Sequence, residues 1–248
     1  MYRQTLDITC RLYPFVLLAI LGELILRVLM EKGLWGNSSG GLSISILYSI
    51  LAFYAHVDIL SLGPLNRETM VKRWLGFIFR TIGLIFLITL PAIIVTIALY
   101  HGSGLADRQS DQPTSETVAL IMLPVVALFS LLVYGLLGTL LPAFVVDRGR
   151  GVGAAIDRGR ATFWYVTGRL IIGPGFLFFV SLFAFAYIPV VTDLPGTYFQ
   201  NGWQPNLSKF GYAIIVNTVQ CGAIVMTAWI FSTTFLLSEA EPEAAEYA

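Results

Sequence analysis

Six apolar runs, each about 20 residues or longer, divide this chain, and membrane-crossing helices are what such runs can build. They are Leu12–Met30, Leu42–Leu62, Trp74–Tyr100, Thr117–Val146, Leu170–Val191 and Phe210–Ser238. A helix rising about 1.5 Å per residue needs about 20 of them to cross a hydrocarbon core about 30 Å thick. Barrel strands need only about 9–11 residues and alternate with period two, and these runs do neither. The expected fold is therefore all-α: a polytopic helical membrane bundle of about six transmembrane helices. The third and fourth runs exceed a straight crossing and contain Pro91, Pro124 and Pro142, so kinks, tilt or interfacial extensions are expected to absorb the excess.

Composition supports the same class. Of 248 residues, 56% are hydrophobic and 12% charged, and the mean hydropathy is +0.77. A soluble domain carries about 25% charged residues. Charge this sparse cannot coat a water-soluble globule of this size, so the outer surface is expected to face lipid. Zero net charge removes any global field for nucleic acid. Cys10 and Cys221 form no metal or redox pattern, and no cofactor motif is present. The first run is longer than the ~7–15 residues of a signal-peptide core and is read as a retained helix.

Placing the N-terminus in the cytoplasm puts 11 of the 15 basic residues in inside segments, as the positive-inside rule requires. The expected location is a bacterial cytoplasmic (inner) membrane, with both termini cytoplasmic. Residues 1–238 form one six-helix domain. Residues 239–248, with four glutamates and no base, are expected to be a short disordered acidic tail. Trp35, Trp74, Tyr100, Trp164 and Trp203 fall at helix ends, where aromatic belts sit.

The segment Asp147–Arg169 has three early glycines, then Val152, Ile156, Gly159 and Phe163 at helical spacing on one side. This predicts a short interfacial amphipathic helix before the fifth span. Arg148, Arg150, Arg158 and Arg160 would meet anionic headgroups, each worth about 1 kcal/mol near the surface, or dock a membrane-protein partner. An ordinary positive-inside loop with no partner explains them as well. The glycines do not make a phosphate loop, because they follow a membrane helix and no Gly-Lys-Ser/Thr follows them. Trp74, Arg80 and Gly83 recur as Trp164, Arg169 and Gly173, an echo that either a parallel repeat or chance would explain.

Glu23 lies about 15 Å along the first helix from Tyr13, near mid-membrane, where a carboxylate is costly. Arg27 follows at i+4 on the same face. The pair is either a self-contained ion pair or an intramembrane polar site helped by Asn217 and Gln220 of the sixth span. His56 and Asp58, two apart, point to different sides of a helix, and Asp58 is expected to balance Arg67 or Arg80. Hydrolase and metalloprotease signatures are absent from the sequence, so a non-enzymatic role is expected.

The order of features resembles a family. A long fourth span ends Leu141-Pro-Ala-Phe-Val-Val-Asp147, Ala154-Ala-Ile-Asp-Arg158 follows, and Gly168-Arg169 opens the fifth span. This resembles the six-helix bacterial proteins grouped around YciC and the membrane domain of glycerophosphodiester phosphodiesterases. The sequence departs from that pattern at Gly159-Arg160, where the family tends to have serine. The resemblance implies a fold and a membrane location and not a hydrolase, whose chemistry belongs to a separate soluble domain. The expected function is a non-enzymatic accessory, scaffold or assembly protein acting on membrane complexes or envelope lipids. The alternative is a transporter of a lipid or small solute with its polar site near Glu23.

Overall fold

Where apolar sequence persists for 20 residues without water to satisfy its backbone, the chain has to close its hydrogen bonds within the segment. The computed structural model, which describes residues 1–62, 67–102, 115–149, 151–181, 197–200 and 204–246, does this throughout. Its helices are α1 (Tyr2–Arg11), α2 (Tyr13–Glu31), α3 (Asn37–Ile59), α4 (Arg67–Gly102), α5 (Ser115–Leu137), α6 (Leu140–Val146), α7 (Val152–Leu170) and α8 (Leu207–Glu246). Six stretches are long and apolar enough to cross a membrane, so the protein is a multi-pass helical membrane bundle. Helix α8 is its central post and packs against α1, α2, α3, α6 and α7. The core is centred on Phe53 and Leu51 of α3, Phe77 of α4, and Val225, Met226, Ile230 and Phe231 of α8.

Four features refine or depart from the expectations. The first is α1, ten residues too short to span, which lies ahead of the first crossing with Thr5 and Ile8 buried. It ends where Pro14 opens α2, a position at which proline's missing N–H costs nothing. The second is the fourth run, where the kink expected from its prolines falls at Pro142. It is two helices, α5 and α6, separated at Gly138–Thr139. Pro142 cannot donate to the Gly138 carbonyl, and Leu141 N takes that carbonyl instead at 3.3 Å. The helix therefore tightens and turns there.

The third departure concerns the interfacial helix. Residues Val152–Ser181 run as one continuous helix, so the amphipathic segment and the fifth span are not separate elements. The described part of the fifth run ends at residue 181. Ala155, Gly159, Val166 and Leu170 are buried, whereas Val152 and Trp164 point out, Trp164 being 83% exposed. The only interruption is a widened turn at Ile171–Gly175. Pro174 supplies no N–H to Leu170, and the Tyr2 hydroxyl of α1 donates to the Ile172 carbonyl at 2.6 Å. Finally, α8 does not fray at Ser238 but continues as helix to Glu246 through the stretch expected to be disordered.

Small residues set the closest approaches. A methyl group at Gly135 would meet Phe163 at 2.7 Å, one at Gly138 would meet Phe231 at 2.4 Å, and one at Gly173 would meet Met226 Sδ at 2.6 Å. Gly175, by contrast, lies against its own helix's Leu170 carbonyl. The echoed arginines do share an environment: Arg80 stacks 3.7 Å from the Phe144 ring centre, and Arg169 lies between Tyr165 and Trp229. The echoed glycines do not, for Gly83 touches nothing outside its helix while Gly173 abuts α8.

Candidate functional site

Helix α2 carries Glu23 into the interior, where it is 1% exposed. A bare carboxylate at mid-span costs about 2.5–3.5 kcal/mol on insertion scales, so its partners decide its charge state and its position. Arg27, one turn on, places Nε 2.7 Å and Nη2 2.5 Å from Glu23 Oε1. Tyr48 of α3 donates its phenol proton to Oε2. The same phenol oxygen lies 3.0 Å from the Gln220 side-chain amide of α8. The atom facing the phenol is Gln220 Oε1, so the Tyr48 hydroxyl lies between two acceptors, Glu23 Oε2 and Gln220 Oε1. Three helices are thus joined through one carboxylate.

Beside this network, α2, α8 and the residues after the widened turn enclose a cavity of ≈430 Å³. Arg27, Lys209, Tyr212, Asn217 and Gln220 supply its polar lining, and Met30, Phe178 and Val216 its apolar walls. Asn217 is 2% exposed, yet its Nδ2 has no hydrogen-bond partner; the Tyr212 hydroxyl is likewise buried and unpartnered. Each such group costs about 1–3 kcal/mol unless something else satisfies it. A small hairpin, β1 (Phe199–Gln200) paired antiparallel with β2 (Gln204–Pro205), covers this end. Asn206 caps α8 by accepting from Lys209 N at 3.2 Å, and Tyr198 N donates to Glu31 Oε2 at 2.7 Å. Burial pushes the Tyr198 phenol above its ordinary value, Arg27 pulling the other way and Glu23 and Glu31 adding to the rise. Tyr198 is therefore a neutral donor at the cavity rim.

Of the residues read from sequence, Glu23, Arg27, Asn217 and Gln220 come together here. Tyr48, Tyr212, Tyr198 and Lys209 were not singled out. Their signal was a polar-tipped aromatic inside a span, which Tyr48 and Tyr212 both provide.

The basic loop is different. Arg148 and Arg160 are exposed, while Arg150 lies outside the described residues. Arg158 is drawn inward to 11% side-chain exposure. Its Nη2 donates to the Gly149 carbonyl at 3.0 Å, Nη1 lies 3.5 Å from Glu239, and the guanidinium sits over Phe235 at 5.2 Å. Gly149, at φ +53, makes this possible: a methyl group there would sit 2.6 Å from Arg158 Nη1. Arg158 therefore ties the end of α8 to the α6–α7 turn. Arg158→Gln should loosen that end, with a loss of about 1 kcal/mol and faster amide hydrogen exchange over residues 239–246. Unchanged exchange there would show that the pair holds nothing.

His56 and Asp58 behave as separate residues. His56 Nδ1 lies 2.7 Å from Ser232 Oγ in the core. Asp58 pairs with Arg11 at 2.7 Å, in place of the expected Arg80, because α1 returns its last turn to the end of α3; the Arg67 side chain lies outside the described residues. Cys10 is exposed and Cys221 buried.

Six apolar helices define a multi-pass membrane protein, and a half-open cavity lies between α2, α8 and the end of the fifth span. No family model, curated protein or solved structure matches the chain.

Proposed function

We propose that the protein is a non-enzymatic membrane carrier, one that takes a lipid or small solute into the cavity beside Glu23 and passes it along or across the bilayer. One observation carries this reading: the buried Asn217 Nδ2 and the Tyr212 hydroxyl lack protein partners and belong to the same cavity as Arg27. Buried polar groups are satisfied in folded proteins, and a cavity that gathers several unsatisfied ones with apolar walls is suited to an amphiphile. Glu23 supports the site without lining it, being held between Arg27 and Tyr48. A paired carboxylate positions the guanidinium. The scaffold reading rests on the basic loop, and Arg158 there is engaged within the fold.

The test is translocation in proteoliposomes, followed as the fraction of fluorophore-headed lipid accessible to an impermeant quencher. Anionic, zwitterionic and uncharged head groups would be compared. For at least one lipid, the native protein should exceed empty vesicles by about tenfold or more. Asn217→Leu should remove most of the excess, since it fills the site and deletes its donor. Native and Asn217→Leu proteins giving the same rates would defeat the carrier reading.

A further inference from the structure

The cavity's charged groups are of one sign. Arg27 and Lys209 are cationic, and the free groups of Asn217 and Tyr212 include donors. Among the described residues, no aspartate or glutamate lines the cavity. The two nearby carboxylates are occupied, Glu23 by Arg27 and Tyr48 and Glu31 by the Tyr198 amide. Arg27 commits Nε and Nη2 to Glu23, and among the described residues its Nη1 has no hydrogen-bond partner. A guanidinium pinned along one edge, with N–H groups left over, is a preorganised receptor for an oxyanion. Lys209 adds a second positive charge at the rim, held 5.7 Å over the Tyr198 ring.

We infer that this cavity is a phosphate-class oxyanion site, in which Arg27 Nη1, Asn217 Nδ2 and the Tyr212 hydroxyl receive the anion's oxygens and Lys209 attracts the anion from the rim. The inference rests on the carrier reading and names its substrate class. A phospholipid head group and free phosphate share this chemistry. Met30, Phe178 and Val216 supply the apolar surface along which an acyl chain would lie. A cationic or zwitterionic head would place its ammonium against Arg27 and Lys209, which disfavours it.

Binding to the purified full chain in uncharged detergent tests this, with phosphatidylglycerol, diacylglycerol and inorganic phosphate as probes and native mass spectrometry as readout. Phosphatidylglycerol should bind about tenfold or more tightly over diacylglycerol, as expected for one or more charge-assisted hydrogen bonds. Lys209→Gln and Asn217→Leu should each erase most of that preference. Lys209 is at the rim and carries no buried pair, so its substitution tests the site without testing the fold. Inorganic phosphate competing at millimolar concentration would uphold the oxyanion site and identify its source as the free anion. No competition by phosphate, with the preference intact, would identify the lipid head. Equal affinity for phosphatidylglycerol and diacylglycerol, both lost in Asn217→Leu, would overturn the oxyanion inference and leave the carrier reading standing. Binding indifferent to Asn217→Leu would overturn both.

Discussion

Gly159→Leu should leave almost no folded protein. Helix α7 crosses α5 at this glycine, and a methyl group there would sit 2.1 Å from the Leu136 carbonyl oxygen and 2.6 Å from Leu136 C and Cα. These are backbone atoms in the last turn of α5 and cannot rotate away as a side chain can. Overpacking a core with flexible neighbours costs about 1–3 kcal/mol, and a rigid neighbour raises the figure. Even Gly159→Ala should lose about 3 kcal/mol or more, read as the midpoint of detergent-induced unfolding. Gly168 is the internal control, lying nine residues on in the same helix with nothing within 4 Å of an added methyl group. Gly168→Ala should be neutral or should stabilise by up to about 1 kcal/mol through helix propensity. If both alanine variants unfold alike, the α5–α7 contact does not hold the bundle together.

The consequence reaches the site, because α7 and the lining residue Phe178 belong to one continuous helix. If α7 is displaced from α5, that wall of the cavity moves as well. The contact at Gly159 and the cavity about two turns beyond Leu170 are then mechanically connected through the widened turn at Ile171–Gly175. Such turns often mark functional positions in helices.

Much of this architecture could be read from hydropathy, since crossing a bilayer leaves the backbone few choices. The six spans, the mid-membrane position of Glu23 and its pairing with Arg27 follow from run length and i+4 spacing. What could not be read is whatever depends on which faces meet. Tyr48 reaches Glu23 only because α2 and α3 pack side by side, and hydropathy assigns no partner to a tyrosine in an apolar run. Helix α1 is short and mixed in polarity, so no span-length window finds it; its order comes from tertiary contacts such as Tyr2 to Ile172 and Arg11 to Asp58. Sequence alone predicts Arg158 as a surface charge, because arginines in loops between spans usually are. Its inward course depends on Gly149, whose positive φ admits the guanidinium. The same dependence explains the tail, since Glu239 gains Arg158 as a partner only in the folded bundle.

Arg27→Leu should be the most damaging change within the site, and more damaging than Glu23→Gln, although both break the same pair. The asymmetry comes from burial. Glu23 is 1% exposed and the Arg27 side chain 41%. Without Arg27, the carboxylate stays buried with Tyr48 as its remaining strong partner, and removing one member of a buried pair costs about 3–5 kcal/mol. Without the Glu23 charge, the longer side chain of Arg27 can extend toward the polar membrane boundary, and the glutamine still accepts from Tyr48, so the loss should be about 1 kcal/mol. The double variant Glu23→Gln/Arg27→Leu removes both charges and should recover most of the stability lost in Arg27→Leu. A double-mutant cycle on detergent-induced unfolding should return a coupling of about 2 kcal/mol or more. Equal losses in the two single variants would mean that the carboxylate finds water or another partner in the folded protein, and the guanidinium would then not be fixed for a ligand. If the asymmetry holds while the double variant, though folded, retains no phosphatidylglycerol, stability and binding separate: the pair as a whole is dispensable to the fold, and its purpose is to hold Arg27 Nη1 at the cavity.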